Sequence, residues 1–552
     1  TFTSDDATTN LNFNAAGVGG TLDISTITTA GFSGEIFVTG DTGADILNVS
    51  SYVETIDGGG GNDTISINHS GDSIIGGAGS DTLNIDSDGA VYERIDTIEI
   101  LNINGTVDLS NKIDNDITTI TIANNETLTL AEADLAFTPT VNGAGDLLIS
   151  GTTGDDTLDL ASLTLGLTGD IGVSASGGDD TIILDSFAET IDGGTENADV
   201  DFDDLLEITA DVDLSAITTF SEIETIKVTS VGDTLTMNAS DLGDVLHLDG
   251  AGTFSIIGSG GDDTISIAGI TVNNNPDITL VGGVGADTIT ATNADVVVAG
   301  DDADIVNVGD INSTSLDGGS GGVDNDTLNV TASINLSTKS VSEFENITLN
   351  GNTLTLSNSQ LTGQNIAVTT ATGTLVITSL DTVGGNHDYR NISMSDAGTF
   401  KLDLEFAGSG SLDLTGESST TLGDINQVAI GGSDDLRVNA LQFKNKTIAL
   451  SGAGDITIVA DVGTASNNSF GSLSSTLNGD LILSVGNSID LSGQTLGVIN
   501  KYDVSSGTLT LSQAQLHATD AITGAGNITV NASGTNTIDV DSIVTSGFSG
   551  TL

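Results

Sequence analysis

Five acidic residues stand nine positions apart: Asp45, Glu54, Asp63, Asp72 and Asp81. Five aliphatic residues keep the same step beside them: Leu47, Ile56, Ile65, Ile74 and Leu83. A carboxylate is a hard oxygen donor, and carboxylates stacked at one phase repel each other unless a cation lies between them. Oxygen donors without His or Cys suit Ca²⁺, which accepts six to eight oxygens in irregular geometry, better than Mg²⁺, which needs an octahedron. An isolated Gly-Asp pair is better read as a turn held by the aspartate's own hydrogen bonds. A generally acidic surface would scatter its acids. Neither reading accounts for one phase kept five times.

The acids follow glycines. Residues 58–65 hold Gly58, Gly60 and Asp63, residues 76–83 hold Gly76 and Asp81, and residues 282–289 hold Gly282 and Asp287. Degenerate copies end in Asp156, Asp180, Asp263 and Asp304. The string Glu54-Thr55-Ile56-Asp57-Gly58-Gly59 returns as Glu189-Thr190-Ile191-Asp192-Gly193-Gly194, and Leu316-Asp317-Gly318-Gly319 leads on to Asp326. The second and third copies carry insertions before the final acid.

The elements that must position these acids follow from the repeat. Glycines make a tight turn, and the Thr-Ile or Thr-Leu after it makes a short strand with its aliphatic side chain turned inward. Two nine-residue units complete a coil, and coils stack as parallel strands about 4.8 Å apart. This predicts an all-β chain, an elongated parallel β-solenoid of about 30 coils at 18 residues each. Only 3% of the residues are aromatic and Trp is absent, as suits a thin core of Val, Ile and Leu. A longer module overlies the short repeat: residues 127–135 return as 234–242, 353–361 and 508–516. Its alternating Thr and Leu predict strands, followed by pieces such as Asn238-Ala239-Ser240-Asp241-Leu242 that predict single helical turns. These repeats divide the chain into modules at 1–95, 96–188, 189–316, 317–379, 380–490 and 491–552. Residues 21–34 match residues 537–550, so a stretch of a longer repetitive protein is expected.

Composition excludes several functions. Ten Lys and Arg against 78 Asp and Glu give a net charge of −68, which rules out nucleic acid and anionic membrane surfaces as partners. The absence of Cys removes disulfide, zinc-thiolate and iron–sulfur chemistry. No stretch is apolar and long enough to insert in a bilayer. The four histidines are far apart, and the string His387-Asp388-Tyr389-Arg390, the one cluster with catalytic residue types, reads as a turn. No catalytic residues are assigned, and a non-enzymatic role is expected over a polysaccharide-active β-helix enzyme. Residues 380–490 lack the acid ladder and hold Arg390, Lys401, Arg437, Lys444 and Lys446. They read as a solvated face, or as a contact with an acidic module of a neighbouring copy.

Residues 58–65, 76–83 and 282–289 fit the pattern G-G-x-G-x-D-x-U, with U a large aliphatic, and so resemble the RTX family of calcium-binding nonapeptide repeats. The longer module, with Glu224-Thr225-Ile226 and Phe344-Glu345-Asn346-Ile347 ahead of Thr-Leu-Thr strands, looks like repeats of RTX-bearing bacterial S-layer proteins and giant surface adhesins. The resemblance implies a β-roll filled with multiple Ca²⁺ ions and folded outside the cell. It makes Asp63, Asp81 and Asp287 carboxylate ligands, with Asp45 and Asp72 in the same place in degenerate copies and Glu54 substituting there. Carbonyls of the glycine turns, including Gly58, Gly60, Gly76 and Gly282, complete the set. Asp57, Asp156, Asp180, Glu189, Asp192, Asp263, Asp304, Asp317 and Asp326 are the further candidate metal ligands. The expected role is structural: a surface layer, sheath or filament made by self-assembly, or the shaft of an adhesin. Expected partners are copies of the same chain and cell-surface glycan.

Overall fold

The nine-residue step is the distance between two sheets. Leu47, Ile65 and Leu83 lie on strands Ile46–Asn48, Thr64–Ile67 and Thr82–Ile85 of one sheet. Ile56 and Ile74 lie on Thr55–Asp57 and Ser73–Ile75 of another. All five are wholly buried. Each such side chain contributes roughly 1.5–3 kcal/mol by leaving water. Because every second unit returns to the same sheet, the register advances by 18: Thr64 pairs with Thr82, and Thr55 with Ser73.

The computed structural model describes residues 10–552 except 16, 18, 28–31, 33, 50–54, 69–72, 89–91, 138, 195–203, 311, 322–324, 362–363, 370–372, 379–390, 395–398, 405–410, 416–423, 432–433, 533–536 and 539. It divides into two compact units, residues 1–257 with 269–279, and residues 258–268 with 280–552. Each is a β-solenoid of parallel sheets, with about 21 turns in all. The expected 18-residue coil holds from Ile46 to Ile103 in one sheet, while the facing sheet steps by 21 from Ser73 to Arg94. Elsewhere it mostly lengthens, to 21 and 24 residues from Thr119 to Thr140 to Thr164 and to 29 from Thr190 to Thr219, and once shortens, to 17 from Thr288 to Ile305. The thirty-coil estimate is corrected accordingly. A coil that replaces a glycine turn with a helical turn or a loop needs more chain to return to the same sheet.

Sheets end and are replaced along the chain. In the first unit a five-stranded sheet ends at Arg94–Asp96, and the next begins at Val107–Asp108 while the eight-stranded sheet runs on. Among the described residues, six of the nine sheets open with one motif. It reads Leu22-Asp23-Ile24-Ser25, Val107-Asp108-Leu109-Ser110 and Val212-Asp213-Leu214-Ser215 in the first unit. In the second it reads Ile334-Asn335-Leu336-Ser337, Leu412-Asp413-Leu414-Thr415 and Ile489-Asp490-Leu491-Ser492. In each, the Ser or Thr amide donates to the Asp or Asn Oδ1 at 2.9–3.1 Å, turning the chain sharply after a two- or three-residue strand.

Single helical turns follow the Thr-Leu-Thr-Leu strands, as the sequence predicts, at Glu132–Phe137, Ala239–Leu242, Asn358–Leu361 and Gln513–His517. A fifth, Ala440–Phe443, lies in the region that reads as divergent. Each buries one large side chain: Leu135, Leu242, Leu361, Leu516 and Phe443. A polar side chain of the turn then grips backbone of the preceding coil. Gln360 Nε2 donates to the carbonyls of Leu336 (2.9 Å) and Lys339 (2.8 Å), Gln442 Nε2 to Leu414 (2.8 Å), and Gln515 Nε2 to Leu491 and Gln494 (both 2.8 Å). Asn238 Nδ2 reaches the Ser215 carbonyl (2.9 Å), and buried Asp134 accepts the amides of Asn111 and Ala131 (both 2.9 Å).

Candidate metal centre

Three ladders of aspartates run through the glycine turns. In the first, Asp63 Oδ1 accepts the Asp45 amide (2.7 Å), Asp81 Oδ1 the Asp63 amide (2.7 Å), and Glu99 Oε2 the Asp81 amide (2.6 Å). The second links Asp156, Asp180 and Asp204 at 2.7 Å and ends on Glu224. The third links Asp263, Asp287, Asp304 and Asp326 at 2.7–2.8 Å and ends on Glu345. Asp45, Asp63, Asp81, Asp180, Asp204, Asp287, Asp304 and Asp326 are at most 1% exposed. A buried carboxylate on every coil is expensive unless it is neutralised or paired.

The second oxygen of each acid decides what the ladder can hold. In the first member of each ladder, Oδ2 accepts an amide of its own turn: Asp41 to Asp45, Thr152 to Asp156, Ser259 to Asp263. Higher up, that donor is diverted. Asp57 Oδ1 takes the Gly59 amide (3.0 Å), and Thr97 Oγ1 takes the Gly77 amide (2.8 Å). The Oδ2 atoms of Asp63, Asp81 and Asp287 are then buried without a hydrogen-bond donor. Burial raises these three carboxyls above the ordinary carboxylate value, with the neighbouring acids adding to the rise.

Glycine is required beside each orphaned oxygen. A Cβ on Gly58 would lie 2.6 Å from Asp63 Oδ2 and would strike the Gly76 carbonyl oxygen; on Gly282 it would lie 2.5 Å from Asp287 Oδ2 and strike the Ala299 carbonyl. Gly76 stands in the same way between Asp81 Oδ2 and the Thr97 carbonyl. A carboxylate oxygen and a carbonyl oxygen therefore flank each glycine, with no side chain between them. The donor set is oxygen only and carries excess negative charge, so it fits a hard divalent cation in chemistry. Among the described residues no three Asp, Glu, His or Cys side chains converge, so backbone carbonyls would have to supply most of the oxygens.

The ladders end at tight corners. Two residues before each terminal Glu, a non-glycine residue adopts positive φ: Thr97 at 52°, Glu222 at 53° and Glu343 at 54°. This one-residue corner replaces the glycine turn, and the longer Glu side chain reaches the last ladder amide from a shifted backbone.

Of the candidate ligands, Asp45, Asp63, Asp81, Asp156, Asp180, Asp263, Asp287, Asp304 and Asp326 are ladder members. Asp57, Asp192 and Asp317 lie at strand ends instead. Asp57 caps Gly59, Asp192 accepts from Ser221 Oγ (3.0 Å), and Asp317 accepts from Ser342 Oγ (3.2 Å). Glu189 joins its neighbours through backbone, and Gly60 bridges to Ala78. Glu54, Asp72, His387, Asp388 and Arg390 lie outside the described residues. Sequence reasoning missed Asp204, Glu99, Glu224 and Glu345. The Glu-x-Glu spacing of Glu222/Glu224 and Glu343/Glu345 was the available signal, but no glycine precedes these acids.

Three of the basic residues of 380–490 have partners within the chain. Lys401 pairs with Asp403 (2.6 Å), Arg437 lies 3.8 Å from Asp413, and Lys444 Nζ donates to Asn467 Oδ1 (2.6 Å). Among the described residues no helix is long and apolar enough to cross a membrane. No protein-family model matches the sequence, and no curated protein matches it.

Proposed function

We propose that this chain is an extracellular structural protein whose solenoid is stabilised by Ca²⁺ and assembles into a surface layer, sheath or filament. The observation that carries this reading is the stack of buried carboxylates whose second oxygens, at Asp63, Asp81 and Asp287, face carbonyl oxygens across a glycine and have no donor. Such a stack needs positive charge, and the few Lys and Arg side chains do not supply it. When bound, the cation neutralises adjacent carboxylates, and its binding free energy becomes folding free energy. Asp63, Asp81 and Asp287 would hold it, with carbonyls of Gly76, Thr97 and Ala299 beside them. Sites built from few carboxylates and many carbonyls belong to the weak end of calcium affinity, about 10⁻⁴–10⁻³ M, which is where extracellular modules work. The partners of this reading are further copies of the chain, with cell-surface glycan as the attachment surface.

The test is a calcium titration of chelated protein, followed by circular dichroism, sedimentation and negative-stain microscopy. Strand signal that appears with calcium and is followed by ordered sheets or fibres supports the reading. Folding without assembly replaces it with an adhesin shaft. Indifference to calcium removes it.

A further inference from the structure

Each unit has one sheet whose outward side chains are almost free of charge. In the eight-stranded sheet of the first unit, the residues between the buried aliphatics form two columns across the coils. Thr64, Thr82, Thr119 and Thr140 stand in one column, together with Ile46 and Ile100. Ser66, Asn84, Asn102 and Thr121 stand in the other. In the second unit, the seven-stranded sheet from Thr264–Ser266 to Ile392–Met394 repeats this, with Thr288, Ile305 and Thr327 beside Thr290, Asn307 and Asn329. Among the described residues, Asp23 on the first strand is the one charged side chain that the strands of either sheet turn outward. The other six sheets of five strands or more each turn out at least two, such as Asp159, Glu207 and Lys227 in one and Asp435, Arg437 and Asp503 in another.

The columns are held in place. Asn102 Nδ2 donates to Asn84 Oδ1 (2.9 Å), Asn84 Nδ2 to Ser66 Oγ (3.0 Å), and Asn329 Nδ2 to Asn307 Oδ1 (2.6 Å). Side chains already ordered lose little freedom on docking. Ile46 and Ile305, 45% and 40% exposed, add apolar area to the threonine column of each sheet.

Resting on the assembly reading above, we propose that these two surfaces are where copies of the chain meet, sheet face against sheet face. Two arguments select a second copy as the occupant. Chains of net charge −68 repel each other, so copies meet at least cost where neither presents charge. The columns repeat with the stacked strands, about every 4.8 Å, and a second copy carries the same step, so rung meets rung along the whole contact. The area suits a weak contact used many times. Seven strands of about four residues present roughly 400 Å² per copy, so a pair buries less than the about 1,200 Å² of a stable complex. One surface alone gives no lasting dimer, whereas two per chain let contacts add.

The test places equal charge on two faces. Thr82→Glu with Thr119→Glu charges the first surface. Thr181→Glu with Thr225→Glu, at the same two-coil separation, charges a sheet that already carries charge. Sedimentation in calcium gives the critical concentration for assembly, and circular dichroism checks folding. The first variant should raise that concentration at least about tenfold, and the second should leave it within about twofold. Equal rises in both would mean that net charge governs assembly and would overturn the proposal. Normal assembly of the first variant would also overturn it, leaving the assembly reading intact; loss of its binding to an insoluble neutral glucan would then reassign the surface to glycan. A parent chain that folds in calcium without assembling would overturn both. If the first variant does not fold, Thr82→Cys gives the answer, since the chain has no other thiol. Its reaction with a maleimide should be largely lost on assembly, while that of Thr225→Cys persists, and equal behaviour of the two would overturn the proposal.

Discussion

Residues 40–103 and 427–531 build the same kind of parallel coil by opposite means. The first stretch has mostly 18-residue coils and glycine turns stacked on Asp45, Asp63 and Asp81. The second has coils of 19–25 residues, helical turns, and Gln442 and Gln515 in place of the aspartates. Both bury complete aliphatic ladders, such as Ile65 and Leu83 in one and Val438 and Ile458 in the other. The hydrophobic core therefore does not distinguish them; the corner chemistry does. A solenoid can fix its corners with charge that needs an external partner or with amides that need none.

The largest effect expected from this contrast is steric. Gly76→Ala places a methyl group against the Thr97 carbonyl and 2.9 Å from Asp81 Oδ2, between backbone on one side and the buried Asp81 side chain on the other. It should cost about 3 kcal/mol, the upper part of the range for overpacking. Gly493, with nothing within 4 Å of its Cβ position, serves as the control, and Gly493→Ala should lie within about 0.5 kcal/mol of the parent. Urea unfolding in calcium reads both. Equal midpoints would show that the ladder turns have room to give.

Asp81→Asn should change sign with calcium. The amide keeps the acceptor for the Asp63 amide and removes a buried charge. In chelator the variant should be more stable than the parent by about 1–2 kcal/mol, and in calcium less stable. The same carboxyls set the pH dependence. The folded state of the chelated protein raises the Asp63, Asp81 and Asp287 values, so it holds protons more tightly than the unfolded chain does. That contribution is fully present below the ordinary carboxylate value and is lost as pH rises through the raised one. Thermal midpoints in chelator should therefore climb as pH falls from 7 toward 4. In calcium the trend should reverse, because protons compete with the cation. A flat profile in chelator would mean that these acids are already compensated.

Much of this was legible in the sequence, because a period imposed on every residue survives in one dimension. The step from Leu47 to Ile56 to Ile65 specified two alternating sheets, and the phase of Asp45, Asp63 and Asp81 specified a stack. The Thr-Leu-Thr-Leu module with its helical turn was also readable. What escaped lacks a period. Glu99, Glu224 and Glu345 close the ladders from corners without glycine, so only the hydrogen bond to the preceding coil reveals their membership. Asp57, Asp192 and Asp317 share the repeat but stand at strand ends, where they cap turns or meet a serine hydroxyl. The Asp-Leu-Ser strings that open new sheets look like any other strand. Coil length failed because a helical turn inserts residues without disturbing the sheet register on either side.

Gln442→Ala tests the other half of the comparison. It removes a buried donor and acceptor at once, leaving the Leu414 carbonyl and the Asn439 amide without that side chain. The cost should be about 1–3 kcal/mol and the same with and without calcium. Gln442→Glu keeps the acceptor but puts a charge where the Leu414 carbonyl expects a donor, and should be at least as damaging. If calcium rescued either variant, the gripped corners would also draw on the cation.

The smallest effect separates site chemistry from general charge. Lys227 and Glu207 pair across adjacent strands at 3.2 Å, with both side chains partly in solvent. Lys227→Met should cost about 0.5 kcal/mol in low salt and nothing measurable in 1 M NaCl, because exposed pairs are screened. The calcium dependence of Asp81→Asn should survive the same salt. A chain whose −68 charge merely needs screening would treat the two alike, since sodium at molar concentration would replace calcium in both. A chain with built sites would not. Sodium can thin the field around the solenoid, but it cannot satisfy a buried Oδ2 that faces a carbonyl oxygen across Gly58 or Gly76 as a divalent ion would. Persistence of the calcium effect in high salt would therefore place it in the ladders rather than in the surface charge.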